Sequence, residues 1–114
     1  MKDIDIARKY TAKSDNAKAK GVHFDLSFTS FKNMCRAKKC QLTGIILTER
    51  GSHSLNATDR TIDRIDAKKG YVEGNCMVVC HAANQFKSRF ECGNTVIRLV
   101  HAEKIIRFMK KHNL

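Results

Sequence analysis

Residues 61–90 read TIDRIDAKKGYVEGNCMVVCHAANQFKSRF. Thr61 to Ile65 alternates polar and apolar residues, the period of a half-buried strand, with Ile62 as an inward residue. Asp66 to Gly74 contains two glycines and reads as a loop. Asn75 to Val79 is expected as a second strand. Cys80 to about Phe90 is expected as a helix, with Ala82, Ala83 and Phe86 available for packing. Strand, loop, strand and helix make a ββα unit, so the fold class is α+β.

Outward from that block the patterns are weaker. Residues 2–20 predict a charged helix, with Ile6, Tyr10 and Ala17 at roughly helical spacing and Gly21 as its breaker. Val22 to Leu26 alternates and reads as a short extended stretch. Ser27 or Thr29 is a candidate cap for a helix running through Lys39, with Phe28, Phe31 and Met34 on one face. Cys40 to Leu47 reads as a turn or short hairpin about Thr43-Gly44, and residues 48–60 as loop. Asn94-Thr95 is expected to open a last helix, with Ile97, Val100, Ile105, Phe108 and Met109 near one face.

The chain has 114 residues, 42% of them hydrophobic, enough for one packed domain. No apolar run is long enough for a membrane span, and MKDIDIARKY has no signal-like apolar core, so a soluble cytoplasmic protein is expected. Twenty-two Lys and Arg against eleven Asp and Glu give a charge of +11, which points to a polyanionic partner, nucleic acid first. Solubility alone is the plainer account of that charge. Five cysteines without a secretory signal argue against a disulfide framework.

The ββα order suggests a chemistry. Asp63 lies near the end of the first strand and Asn84 one turn into the helix. A carboxylate and an amide oxygen on rigid elements suit a hard cation such as Mg²⁺, which also takes waters and substrate phosphate. Lys68 and Lys69, in the loop between, are suited to phosphate contact.

The pattern DRID…KGYV.GN…VC…N..K, from Asp63 to Lys87, resembles the core of the HNH (ββα-metal, His-Me finger) endonucleases, phage and bacterial members in particular. AKAKGVHFDLSFTSFKNM followed by CQLTG is similar to their lead-in, so the likeness covers about residues 17–90. The resemblance implies Asp63 and Asn84 as ligands of Mg²⁺ or Mn²⁺, and Asn75 as the residue that pins the connecting loop. After the strand Asp the family usually has a His that activates water. Arg64 stands there, and a guanidinium cannot accept a proton at neutral pH.

Three accounts of Arg64 remain open. His53 or His81 supplies the base, His81 lying three residues before Asn84 on the same helical face. Alternatively, Arg64 stabilises the phosphate's charge while a metal-bound water attacks. In the third account the chain binds DNA without cutting it. Taken singly, His53 also reads as an ordinary loop histidine and His81 as a solvated one.

Structural Zn²⁺ on Cys35, Cys40, Cys76 and Cys80 is the disfavoured alternative to small buried thiols, because Thr43 and Ala83 stand where Cys-x-x-Cys partners would be. Cys92 is expected to be idle. Arg36, Lys38 and Lys39, then Lys87 and Arg89, form basic clusters suited to phosphate, whereas Arg107, Lys110 and Lys111 suit a solvated helix end. Tyr71 is expected to pack over its own loop rather than stack on a base.

The expectation is therefore a helical lead-in at 1–39, an HNH-like core at 40–90 and a C-terminal helix at 91–114 packed across it, one compact domain overall. Its function would be metal-dependent hydrolysis of DNA phosphodiesters, by nicking or cleaving. Asp63, Arg64, Asn75, Asn84, His81 and His53 are the catalytic candidates; Arg64, Lys68, Lys69, Lys87 and Arg89 are the DNA contacts. The alternative is an inactive HNH-fold phage protein that binds DNA or a host protein. No membrane and no small-molecule cofactor are expected, and a homodimer is left open.

Overall fold

The computed structural model describes residues 2–51, 54–91 and 96–114, and the chain is α+β. Helix α1 spans Asp3–Ala19, with Asp3 and Asp5 at its positive end and Lys18 at its negative end. It stops in a Schellman turn: Gly21 N–H donates to the Lys18 carbonyl at 3.0 Å and Val22 N–H to that of Ala17 at 2.8 Å. The turn requires a left-handed residue, and Gly21 takes φ 70° without a Cβ penalty.

Strand β1, Phe24–Asp25, leads into α2, Phe28–Cys35. Ser27 is the N-cap, its Oγ accepting the Ser30 N–H at 3.1 Å. The Glu73 carboxylate accepts from Ser27 N–H and Ser30 Oγ at the same helix end, and these bonds lower its pKa. The helix expected to reach Lys39 ends at Cys35. Lys38 instead uses its carbonyl to accept the Leu47 N–H at 2.8 Å, and Lys39 forms a β-bridge with Ile46. Pairing across the 40–47 turn outcompetes another turn of helix.

Ile6, Phe31 and Cys35 form one buried cluster, with Tyr10, Phe28 and Ile62 against it. The Tyr10 ring meets those of Phe24, Phe28 and Phe31 edge-on at 5.3–5.5 Å, and its hydroxyl donates to the Leu26 carbonyl.

Strands β2 (Arg60–Arg64) and β4 (Cys76–Cys80) are antiparallel, with Asp63 opposite Met77 and Ile62 opposite Val78. β4 runs directly into α3, His81–Glu91. The second core combines Met77, Val78, Val79, Cys80 and Ala83 with Cys40 and Leu47. Burying Val79 completely contributes about 1.5–3 kcal/mol. The Cys40–Gly44 turn docks on β4: Gln41 N–H donates to the Val78 carbonyl and Gln41 Oε1 accepts the Val78 N–H.

The expected 66–74 loop contains a short strand, β3 (Tyr71–Val72), parallel to β1. Tyr71 N–H donates to the His23 carbonyl at 2.8 Å, and a Cβ on Gly70 would collide with that same carbonyl oxygen. Only glycine permits so close a backbone approach.

The chain divides into two compact units, Met1–Asn84 and Gln85–Leu114. The second contains the remainder of α3 and helix α4, Leu99–Lys111. None of its described residues is buried. Within it Phe86, Phe90, Ala102, Ile105, Ile106 and Met109 line an open apolar groove. Asn94 and Thr95, expected to open the last helix, lie outside the described residues; α4 begins at Leu99, and His101 Nδ1 accepts the Arg98 N–H at 3.0 Å.

Candidate functional site

The site is built on β2 and the start of α3. Strand alternation places Thr61 and Asp63 on one face of β2, and Arg60, Ile62 and Arg64 on the other. Asp63 is half-buried, and its Oδ1 accepts the Arg64 N–H at 2.9 Å. Asn84, also half-buried, is the fourth residue of α3, which starts where β4 ends. A strand carboxylate and a helix amide oxygen are hard donors. They fit a Mg²⁺-type cation that takes one or two protein oxygens and leaves the rest to waters and phosphate.

Asn75 is buried and ties both ends of the 66–70 segment. Its Oδ1 accepts the Asp66 N–H at 3.0 Å, and its Nδ2 donates to the carbonyls of Gly70 at 2.8 Å and Asp66 at 3.2 Å. One side-chain amide thus satisfies three backbone groups in the loop after Asp63. Arg64 completes the tie: Nη1 donates to the carbonyls of Ala67 and Lys69, and the guanidinium lies 5.3 Å from the Tyr71 ring centre. Tyr71 also carries the Lys13 ammonium 4.6 Å from its centre and packs against Phe24. Through Phe24 it joins the aromatic cluster. Lys68 and Lys69 are exposed on the same loop.

His81, half-buried, is the first residue of α3. Its backbone N–H donates to the Asp59 carbonyl at 2.9 Å and that of Ala82 to Ala57, so two of the helix's unpaired N–H groups are satisfied by the loop before β2. His53 lies outside the described residues. Lys87 and Arg89 belong to the second unit, where Lys87 pairs with Glu91 at 2.8 Å and Arg89 lines the apolar groove.

Asp59 is the residue that sequence reasoning missed. It is fully buried; Oδ1 accepts from Thr48 Oγ1 at 2.6 Å and Oδ2 from Asn56 N–H at 2.8 Å. The Thr48 and Asn56 bonds lower its pKa against the cost of burial, with help from Arg50 and His81. Its neighbours Thr58 and Arg60 are as polar as a loop requires, so no pattern separates a buried carboxylate from a solvated one.

The cysteines divide. Cys35 lies in the first core, Cys40 and Cys80 in the second. Cys76 and Cys80 are at opposite ends of β4, about 13 Å apart by strand rise. Among the described residues no group of three or more His, Cys, Asp or Glu side chains is arranged to hold a metal. The Cys40 thiol is opposed by burial, yet hydrogen bonds from the Thr43 hydroxyl and the Cys80, Leu42 and Thr43 backbones bring its pKa down to about 7. Burial pushes the Cys35 and Cys76 thiols up. Cys92 lies outside the described residues.

No family model, curated protein or solved structure matches the chain.

Proposed function

We propose that the chain is a metal-dependent DNA endonuclease of the HNH type. The observation that carries this reading is the loop after Asp63, held by the Asn75 amide, between two antiparallel strands that lead directly into the helix bearing Asn84. Asp63 and Asn84 would hold Mg²⁺ or Mn²⁺, which when bound supplies positive charge for the phosphate's developing negative charge. Lys68 and Lys69 bind the flanking phosphates from the exposed loop.

In this reading Arg64 acts by holding the Ala67 and Lys69 carbonyls, which keeps the loop rigid. It donates hydrogen bonds and cannot serve as the base. Water attacks phosphorus as the P–O3′ bond breaks; its proton passes to His81 at the head of α3, and the departing 3′ oxygen takes one from solvent.

The test is supercoiled-plasmid cleavage with Mg²⁺, Mn²⁺ or EDTA, beside the Asp63→Ala protein. Relaxation that needs the metal and disappears in Asp63→Ala is expected; equal rates in that variant would overturn the assignment. A second reading is favoured by the same guanidinium: with Arg64 committed to backbone carbonyls, the chain binds DNA or a host protein and cuts nothing. Retention of DNA on a gel, without cleavage under any metal, would select it.

A further inference from the structure

A cleft of about 330 Å³ separates α1 from β2. Its floor is apolar, including Phe31, Ile62 and Leu55. Lys9, Lys13 and Arg50 line it, and among the described residues no Asp or Glu does. The Lys13 ammonium is shared with the fold: it donates to the Ile62 carbonyl at 3.4 Å and lies 4.6 Å from the Tyr71 ring centre. A fourth cation, Arg60, is engaged by Glu49 at 2.5 Å and by the Ala37 carbonyl, so it serves the fold.

Helix α1 sets the spacing. Lys9, Lys13 and Asn16 fall at i, i+4 and i+7, on one side of the helix. Two lysines four residues apart repel and cost an isolated helix a few tenths of a kcal/mol. A bound anion reverses that term. Ala12 lies among them, small enough to leave the cleft open. The volume is at the lower end of small-ligand pockets, room for one small molecule and not for a chain of them.

A ligand with a flat apolar part and a negative group satisfies both floor and rim, and the Asn16 amide offers a donor and an acceptor to a heteroaromatic edge. We propose that this cleft binds a single nucleotide unit, base on the apolar floor and phosphate on Lys9 and Arg50, with the Lys13 charge nearby. The inference does not require the nuclease reading, since no metal and neither Asp63 nor Asn84 takes part. The unit is either a free mononucleotide or one nucleotide of a single strand.

The full chain is titrated in EDTA, with amide NMR shifts as the readout, using deoxyadenosine monophosphate, deoxyadenosine and an eight-nucleotide single strand as separate probes. Saturable shifts at Ala12, Lys13, Asn16 and Ile62 are expected, with deoxyadenosine at least tenfold weaker than its phosphate. Saturation by the monophosphate identifies a free nucleotide as sufficient, and saturation by the strand alone identifies a strand unit. Lys9→Glu and Arg50→Glu, both at exposed positions, are expected to weaken binding at least tenfold. Ala12→Trp, which fills the cleft and removes no charge, is expected to do the same. Absence of shifts in the cleft with either phosphate-bearing probe overturns the proposal, as does unchanged affinity in a folded Ala12→Trp protein. Asp63→Ala is expected to bind as the wild type does, so a failed cleavage assay and a failed cleft are told apart.

Discussion

Strand β4 and helix α4 are both rich in apolar residues and have opposite fates. In β4 Met77, Val78, Val79 and Cys80 are buried, Val79 completely. In α4 Leu99, Val100, Ile105, Ile106, Phe108 and Met109 are all exposed, Phe108 by 58%. A short continuous apolar run marks the strand, and helical spacing marks the helix. Burial follows only where a second surface arrives: β4 has β2 on one edge and the Cys40–Gly44 turn docked through Gln41. Among the described residues of its own unit, α4 meets only the open groove it shares with α3.

The strongest way to break that comparison is one charge on each side of it. Val79→Asp is expected to cost more than about 4 kcal/mol and to abolish cooperative unfolding, because it buries an unpaired carboxylate. Ile105→Asp is expected to stay within about 0.5 kcal/mol of wild type in urea unfolding. Equal losses would mean that α4 belongs to the same cooperative core.

Asn75→Ala comes next. It orphans the Asp66 N–H and two carbonyls in the loop, at about 2 kcal/mol, and plasmid cleavage is expected to fall with it. A stable variant with normal cleavage would remove Asn75 from the site.

Asp59→Asn is expected to lower the melting temperature at neutral pH. The folded-state pKa of Asp59 is below the ordinary 3.8, so its contribution is present above that value and is lost as pH falls through the lower, folded one. The gap between the two proteins is expected to close in that acid range. A gap that persists there would assign the effect to packing.

Cys40 gives a smaller effect of opposite location on the pH axis. Its thiol titrates near 7 in the fold and near 9.0 unfolded, so between those values the unfolded chain holds the extra proton. Stability is expected to rise from pH 7 to 9 by at most one proton's linkage, and Cys40→Ser to flatten that slope. The smallest expected change is in the second unit: Glu91→Ala, breaking the pair with Lys87, at about 0.3–0.5 kcal/mol.

How much was legible varies with how local the cause is. The paired strands expected at Thr61–Ile65 and Asn75–Val79 form at Arg60–Arg64 and Cys76–Cys80, one residue away, because alternation in the first and a short apolar run in the second are written in neighbouring residues. Gly21 marked its helix end for the same reason. β3 escaped notice because Tyr71-Val72 has only two residues and exists through pairing with a segment nearly fifty positions earlier. Helix α2 was expected four residues too long, since nothing in Arg36 to Lys39 announces a bridge to Ile46.

The candidate site divides along the same line. Asp63, Arg64, Asn75, Asn84 and the loop lysines were all visible as residues in a pattern. The commitment of the Arg64 guanidinium to two backbone carbonyls, the depth of Asp59 and the separation of Cys35 from Cys40 were not. The sequence by itself determined the order of the longer elements, the positive charge and the residue types of the candidate donors, because each depends on residue type and short-range spacing. Only the tertiary structure decided which polar groups lost their water, which cations were already engaged and which apolar face found a partner. Desolvation and hydrogen bonding depend on what lies within a few ångströms, and chain distance does not encode that.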